Sequence, residues 1–155
     1  MKRTIIVTVF VAAILIAPVT ANAHCQVPCG IYDDHARIHS MLEDVTTISK
    51  ALKKMDELAS KTDARSRNQW TRWVNTKEEH ASRIITVMSE YFLTQKIKPA
   101  DKKKVADRKR YLETLADAHA VMRAAMKCKQ RADSAHATTL KAAIEHFGKR
   151  YPASK

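Results

Sequence analysis

From residue 33 onward the apolar residues fall at helical spacing. Ile38, Met41, Leu42, Val45, Ile48, Leu52, Met55 and Leu58 recur every three or four positions, marking one face of a helix. Asp33-Asp34 stand at its start, where negative charge suits the positive end of the helix. The spacing predicts a second helix from about Ala64 to Leu93, with Asp63 as N-cap and Trp70, Trp73, Ala81, Ile84, Met88 and Phe92 on one face. After a loop at 96–98, Pro99 suits the first position of a third helix carrying Val105, Leu112, Leu115, Met122 and Met126. Asp133 or Ser134 caps a shorter fourth helix with Leu140, Ala143, Ile144 and Phe147, closed by Gly148. Met41, Met55, Met88 and Met122 belong to these faces and read as core, not as a soft-metal strip. Four amphipathic helices with short connections predict an all-α four-helix bundle over residues 33–155.

Residues 1–23 follow a different pattern. A basic start, Lys2-Arg3, precedes the apolar run Ile5–Ile16 and the small-residue ending Ala21-Asn22-Ala23. These are the parts of a secretory signal peptide, and the run is shorter than the ~20 apolar residues of a membrane span. The expectation is cleavage after Ala23, a mature chain beginning at His24, and a periplasmic or secreted protein without stable membrane association. The chain has 155 residues, 45% of them hydrophobic, enough for one domain with a core. Two glycines and four prolines exclude a collagen-like chain and argue against a sandwich of many short strands. The net charge of +12 falls to +10 once Lys2 and Arg3 leave, so anions are the natural partners. The basic run Lys102-Lys103-Lys104 and Arg108-Lys109-Arg110 reads as a solvated helix face. Apart from Tyr111 it lacks the aromatic residues that stack on bases, and nucleic acid is not expected.

Three cysteines, Cys25, Cys29 and Cys128, make an odd count for an exported chain. Cys128 lies on an apolar-polar helical stretch and reads as a core or half-buried thiol. Cys25 and Cys29 could form a small disulfide loop. They could also hold a metal, although no second pair stands at zinc-finger spacing. Cleavage before His24 would free its α-amine beside the Cys25 amide nitrogen and the thiolates of Cys25 and Cys29. Amine, amide and thiolate close two fused five-membered chelate rings, which favour a flat N,N,S,S arrangement. That geometry suits Ni(II) or Cu(II) rather than tetrahedral zinc, and the His24 imidazole adds an axial donor. Because the ligands lose protons on binding, loading should depend on pH. His35 and His39, at i and i+4, have a ligand spacing but read more simply as a solvated face.

At these residues the chain resembles a known family. His24-Cys25-x-x-Pro28-Cys29-Gly30-x-Tyr32 is similar to the nickel hook at the mature N-terminus of the nickel-containing superoxide dismutases. The resemblance implies one nickel ion per subunit, held by the amine and imidazole of His24, the amide and thiolate of Cys25, and the thiolate of Cys29. It implies that superoxide is converted to dioxygen and hydrogen peroxide, with Tyr32 lining the substrate pocket. Glu90-Tyr91-Phe92 resembles the family's acidic-Tyr-Phe stretch and makes Tyr91 the second pocket tyrosine. A homohexamer is implied as well. The chain departs from the family where a glutamate orients the histidine: Ser40 or His39 stands there, and Glu43 is the nearest carboxylate. Its partner arginine maps to His80 or Thr76. The rival readings are a non-catalytic periplasmic bundle holding nickel or copper in the same hook, and a basic helical adaptor with a Cys25–Cys29 disulfide.

Overall fold

The computed structural model describes residues 33–153. Four helices run up and down: α1 (Asp34–Leu58), α2 (Ala64–Thr86), α3 (Val105–Gln130) and α4 (Ala135–Gly148). Each packs against two neighbours, α1 on α2 and α4, and α3 on α2 and α4, which closes the bundle. No strand occurs among the described residues. The hook at 24–32 and the leader at 1–23 lie outside them.

The caps expected at the first two helices are present. The Asp33 side chain accepts from the His35 amide at 2.8 Å, and that of Asp63 from the Ser66 amide at 3.0 Å. At α4 the work falls to Asp133, which accepts from the Ala135 amide at 2.8 Å, whereas Ser134 makes no side-chain cap. Gly148 is the last residue of α4 and not a left-handed cap. Its use is close approach: a Cβ there would lie 2.8 Å from Ile38 Cγ2 of α1.

Two further boundaries differ from the sequence expectation. Pro99 does not begin α3, because a turn built on Asp101 intervenes. The Asp101 carboxylate accepts from the Lys103 amide at 2.9 Å and its carbonyl from the Lys104 amide at 3.1 Å, so the helix starts at Val105. And α2 does not end near Leu93 but passes into a π-helical segment, Val87–Lys96. Its wider turns are visible in the Ile97 amide, which donates to the Phe92 carbonyl five residues back at 2.8 Å. Thr94 and Gln95 side chains likewise donate five residues back, to the Ser89 and Glu90 carbonyls. Such segments are rare and concentrate at functional sites.

The core faces of α1 and α4 are those read from the pattern, with Met41, Ile48, Leu52, Leu140, Ile144 and Phe147 buried. In α3 the expected face is the inner one only in part: Leu115 and Met122 pack against the core, but the other three residues do not. Val105 is 80% exposed, Leu112 50% and Met126 37%, while Ala118, Val121, Ala125 and Cys128 are fully buried. Bulky Met88, Phe92, Ile144 and Phe147 fill the centre, and α3 meets them with small side chains, as dense packing requires. With 14 residues against 26, α4 is also too short to cover the first half of α3. Trp70 is 39% exposed, because the first turns of α2 run past the end of the core, whose buried α2 residues begin at Lys77.

Candidate functional site

The hook enters the described structure at Asp33, directly after Tyr32. Asp34, the first residue of α1, lies beside the π-helical segment, which brings Tyr91 to it. The Tyr91 hydroxyl donates to Asp34 Oδ1 in a short hydrogen bond, and Lys96 Nζ lies 3.0 Å from the same oxygen. The Arg37 guanidinium stands 5.6 Å from the centre of the Tyr91 ring and Lys96 Nζ 5.9 Å from it. Burial, then the hydrogen bond to Asp34 and its charge, pushes the Tyr91 phenol well above its ordinary range. Tyr91 is therefore a neutral hydrogen-bond donor at physiological pH.

A second tyrosine shares this end of the bundle. Tyr151, just past α4, packs 4.9 Å from the Phe92 ring and 5.2 Å from that of Phe147. Its phenol is also raised, by burial and then by the Asp34 carboxylate. Sequence reasoning passed over Tyr151 because it stands outside every periodic segment. Arg150 beside it is anchored by Asp117, its Nε donating at 2.9 Å. Only the return of α4 to the start of α1 brings residue 151 to residue 34.

The other expected site residues fall elsewhere. Glu43 is exposed and lies 3.7 Å from His39 Nδ1. The Thr76 hydroxyl is used within its own helix, donating to the Arg72 carbonyl at 3.0 Å. His80 Nδ1 pairs at 2.6 Å with Asp44 Oδ1, and Asp44 Oδ2 is buried with no hydrogen-bond partner in the structure. Ten residues of helix separate Asp44 from Asp34, about 15 Å. His35 and His39 have ring centres 6.5 Å apart. His24, Cys25, Cys29 and Tyr32 lie outside the described residues.

Among the described residues no three His, Cys, Asp or Glu side chains are grouped so as to hold a metal ion. Cys128 is no donor either: burial pushes its thiol up to about 11, so it stays protonated at neutral pH. Among the described residues the bundle thus presents packed helices and no metal-ligand cluster. The chain belongs to the nickel-containing superoxide dismutase family, whose family model matches residues 19–155. At the level of the family this is a nickel oxidoreductase acting on superoxide. No curated protein and no solved structure matches the chain.

Proposed function

We propose that the mature chain begins at His24 and dismutates superoxide at one nickel ion per subunit. The observation that carries the reading is the family match, which runs from the hook motif through the whole bundle. The donor set fits the metal: the His24 amine and imidazole, the Cys25 amide and thiolate, and the Cys29 thiolate form the N- and S-rich, anionic set that nickel takes. When bound, the metal supplies one-electron chemistry, so that two superoxide anions and two protons yield dioxygen and hydrogen peroxide. The rest falls to the chain's own residues. Tyr91, its O–H given to Asp34, is held neutral and adds no negative charge at this end of the bundle, leaving its phenol oxygen to accept from water. Lys96 and Arg37 offset the Asp34 carboxylate, so this end of the bundle does not repel superoxide. Tyr32, one residue before the cap of α1, supplies the second phenol. Export and removal of residues 1–23 are part of the proposal, because only cleavage at Ala23 frees the amine. Assembly into a hexamer rests on the family resemblance.

The test is His24→Ala on the mature chain, with bound nickel and superoxide consumption measured on one sample. Amine, amide and both thiolates remain, so near-stoichiometric nickel is expected, while loss of the imidazole removes most of the turnover. Full activity with full nickel would overturn the role given to the imidazole. An inactive, nickel-loaded unmodified protein would overturn the reading as a dismutase.

A further inference from the structure

A cleft of about 410 Å³ opens between the 97–104 loop, the first turns of α3 and Tyr151, three residues past α4. Lys96, Lys98, Lys104 and Arg110 line it, against two carboxylates, Asp101 and Asp107. The carboxylates are engaged locally: Asp101 accepts from the Lys103 amide at 2.9 Å, and Asp107 lies 4.0 Å from Arg110. Lys98, Lys104 and Arg110 are exposed, so their charges project into solvent at the mouth. Two of the lining residues also belong to the cluster where the hook enters. Lys96 pairs with Asp34 at 3.0 Å, and Tyr151 packs on Phe92 beside Tyr91. The cleft therefore adjoins the Tyr91–Asp34 pair through Lys96 and Tyr151 and carries exposed cations on its loop and on α3. Of its lining, Ile97, Tyr111 and Tyr151 pack on the core, but the packing does not call for the lysines and the arginine beside them, since like charges gathered in one place repel one another.

We propose that this cleft is the approach route for the substrate anion, with Lys98, Lys104 and Arg110 drawing superoxide in and Lys96 and Tyr151 forming its inner end. The proposal rests on the dismutase reading and deepens it. The physics is that of a concave, positively lined surface, which concentrates an anion and can raise its on-rate by about tenfold or more. Such steering is screened over the Debye length, about 10 Å at 0.1 M salt, so it shows itself through ionic strength. Position distinguishes it from the effect of net charge. The far end of the bundle is also basic, with exposed Lys50, Lys53 and Lys61, yet it lies more than 20 Å along α1 from Asp34 by the helical rise of about 1.5 Å per residue.

Two triple variants of the nickel-loaded mature chain make the test: Lys98→Gln, Lys104→Gln and Arg110→Gln in the cleft, and Lys50→Gln, Lys53→Gln and Lys61→Gln at the far end. Nickel content and the rate constant for superoxide are measured from low to high salt. The cleft variant should keep its nickel, lose about three- to tenfold in rate at low ionic strength, and show a flattened salt dependence. The far-end variant should follow the unmodified protein. A second readout does not depend on turnover: chloride titration, followed by backbone amide shifts, should perturb residues 96–111 in the unmodified protein and not in the cleft variant. Equal losses in both variants, or an unchanged cleft variant, would overturn the route, and so would chloride shifts that ignore it. Absence of turnover in the unmodified nickel-loaded protein would instead sink the dismutase reading, while the chloride titration still decides whether the cleft gathers anions.

Discussion

Three cysteines in this chain have two different chemical fates, and their surroundings separate them. Cys128 is fully buried on α3, and burial raises its thiol to about 11. A protonated thiol in the core is neither nucleophile nor ligand. Cys25 and Cys29 stand in the hook motif, and on the proposed reading each supplies an anionic sulfur. Cys25→Ser and Cys29→Ser should each abolish nickel retention and superoxide consumption, measured together by elemental analysis and assay. Cys128→Ser should keep both, at a cost of about 1–2 kcal/mol in urea unfolding for placing a hydroxyl in an apolar site. Loss of nickel from a folded Cys128→Ser protein would contradict the ligand set. The proposed ligands can be read as a set from sequence because their spacing is local. Tyr91 was legible as a residue, but its partner Asp34 and its neighbour Tyr151 were not, since they come from distant elements.

Between elements, one buried side chain joins two helices. Lys77 of α2 is 3% exposed, and its ammonium donates to the Cys128 carbonyl at 2.7 Å and the Lys129 carbonyl at 2.6 Å. Those carbonyls lie at the end of α3, where no further turn can satisfy them. A cation there also meets the negative end of the helix, and Glu78 Oε1 at 2.7 Å balances its charge. Lys129 returns the link by donating to Ser82 Oγ of α2 at 2.8 Å. Lys77→Met keeps the length of the side chain but leaves the carbonyls unpaired. It should lower unfolding free energy by about 2–4 kcal/mol, read from the urea midpoint, with helical content retained. An unchanged midpoint would mean that water takes the place of the ammonium. The sequence offered Lys77 only as one more charge on a predicted helix, and nothing local marks it as buried.

At the scale of the whole fold, three protons among the described residues are held more tightly than in the open chain. The Cys128 thiol rises from 9.0 to about 11, and the phenols of Tyr91 and Tyr151 rise from 10.0, burial being the largest cause in each. A raised pKa means that the unfolded chain releases the proton first. The stabilisation is therefore complete below pH 9 and is lost as the pH climbs through the folded values. Urea midpoints should be level on this account from pH 7 to 9 and fall above it. Each such proton adds a slope of up to about 1.4 kcal/mol per pH unit. Cys128→Ala should flatten the part between pH 9 and 11 and Tyr151→Phe the part above pH 10. Parallel curves for Cys128→Ala and the unmodified protein would show that the thiol does not contribute.

The sequence by itself determined what depends on neighbours in the chain: four amphipathic helices, the caps at Asp33 and Asp63, and a hook motif whose proposed donors lie within six residues. Periodicity and chelation are both local, so a linear reading reaches them. Tertiary structure alone decided how much of the apolar stripe of α3 turns inward, since Leu115 and Met122 pack on the core and the rest of the stripe does not. Val105, Leu112 and Met126 have the hydrophobicity for the core, but bulky residues from α2 and α4 already fill the centre and leave room there for alanines. It also decided that α2 widens into a π-helical segment and that Tyr91, Asp34, Lys96 and Tyr151 meet at one end of the bundle. Hydrophobicity says only that a side chain leaves water. Which neighbours it then touches depends on the volumes and charges of helices far away in the chain.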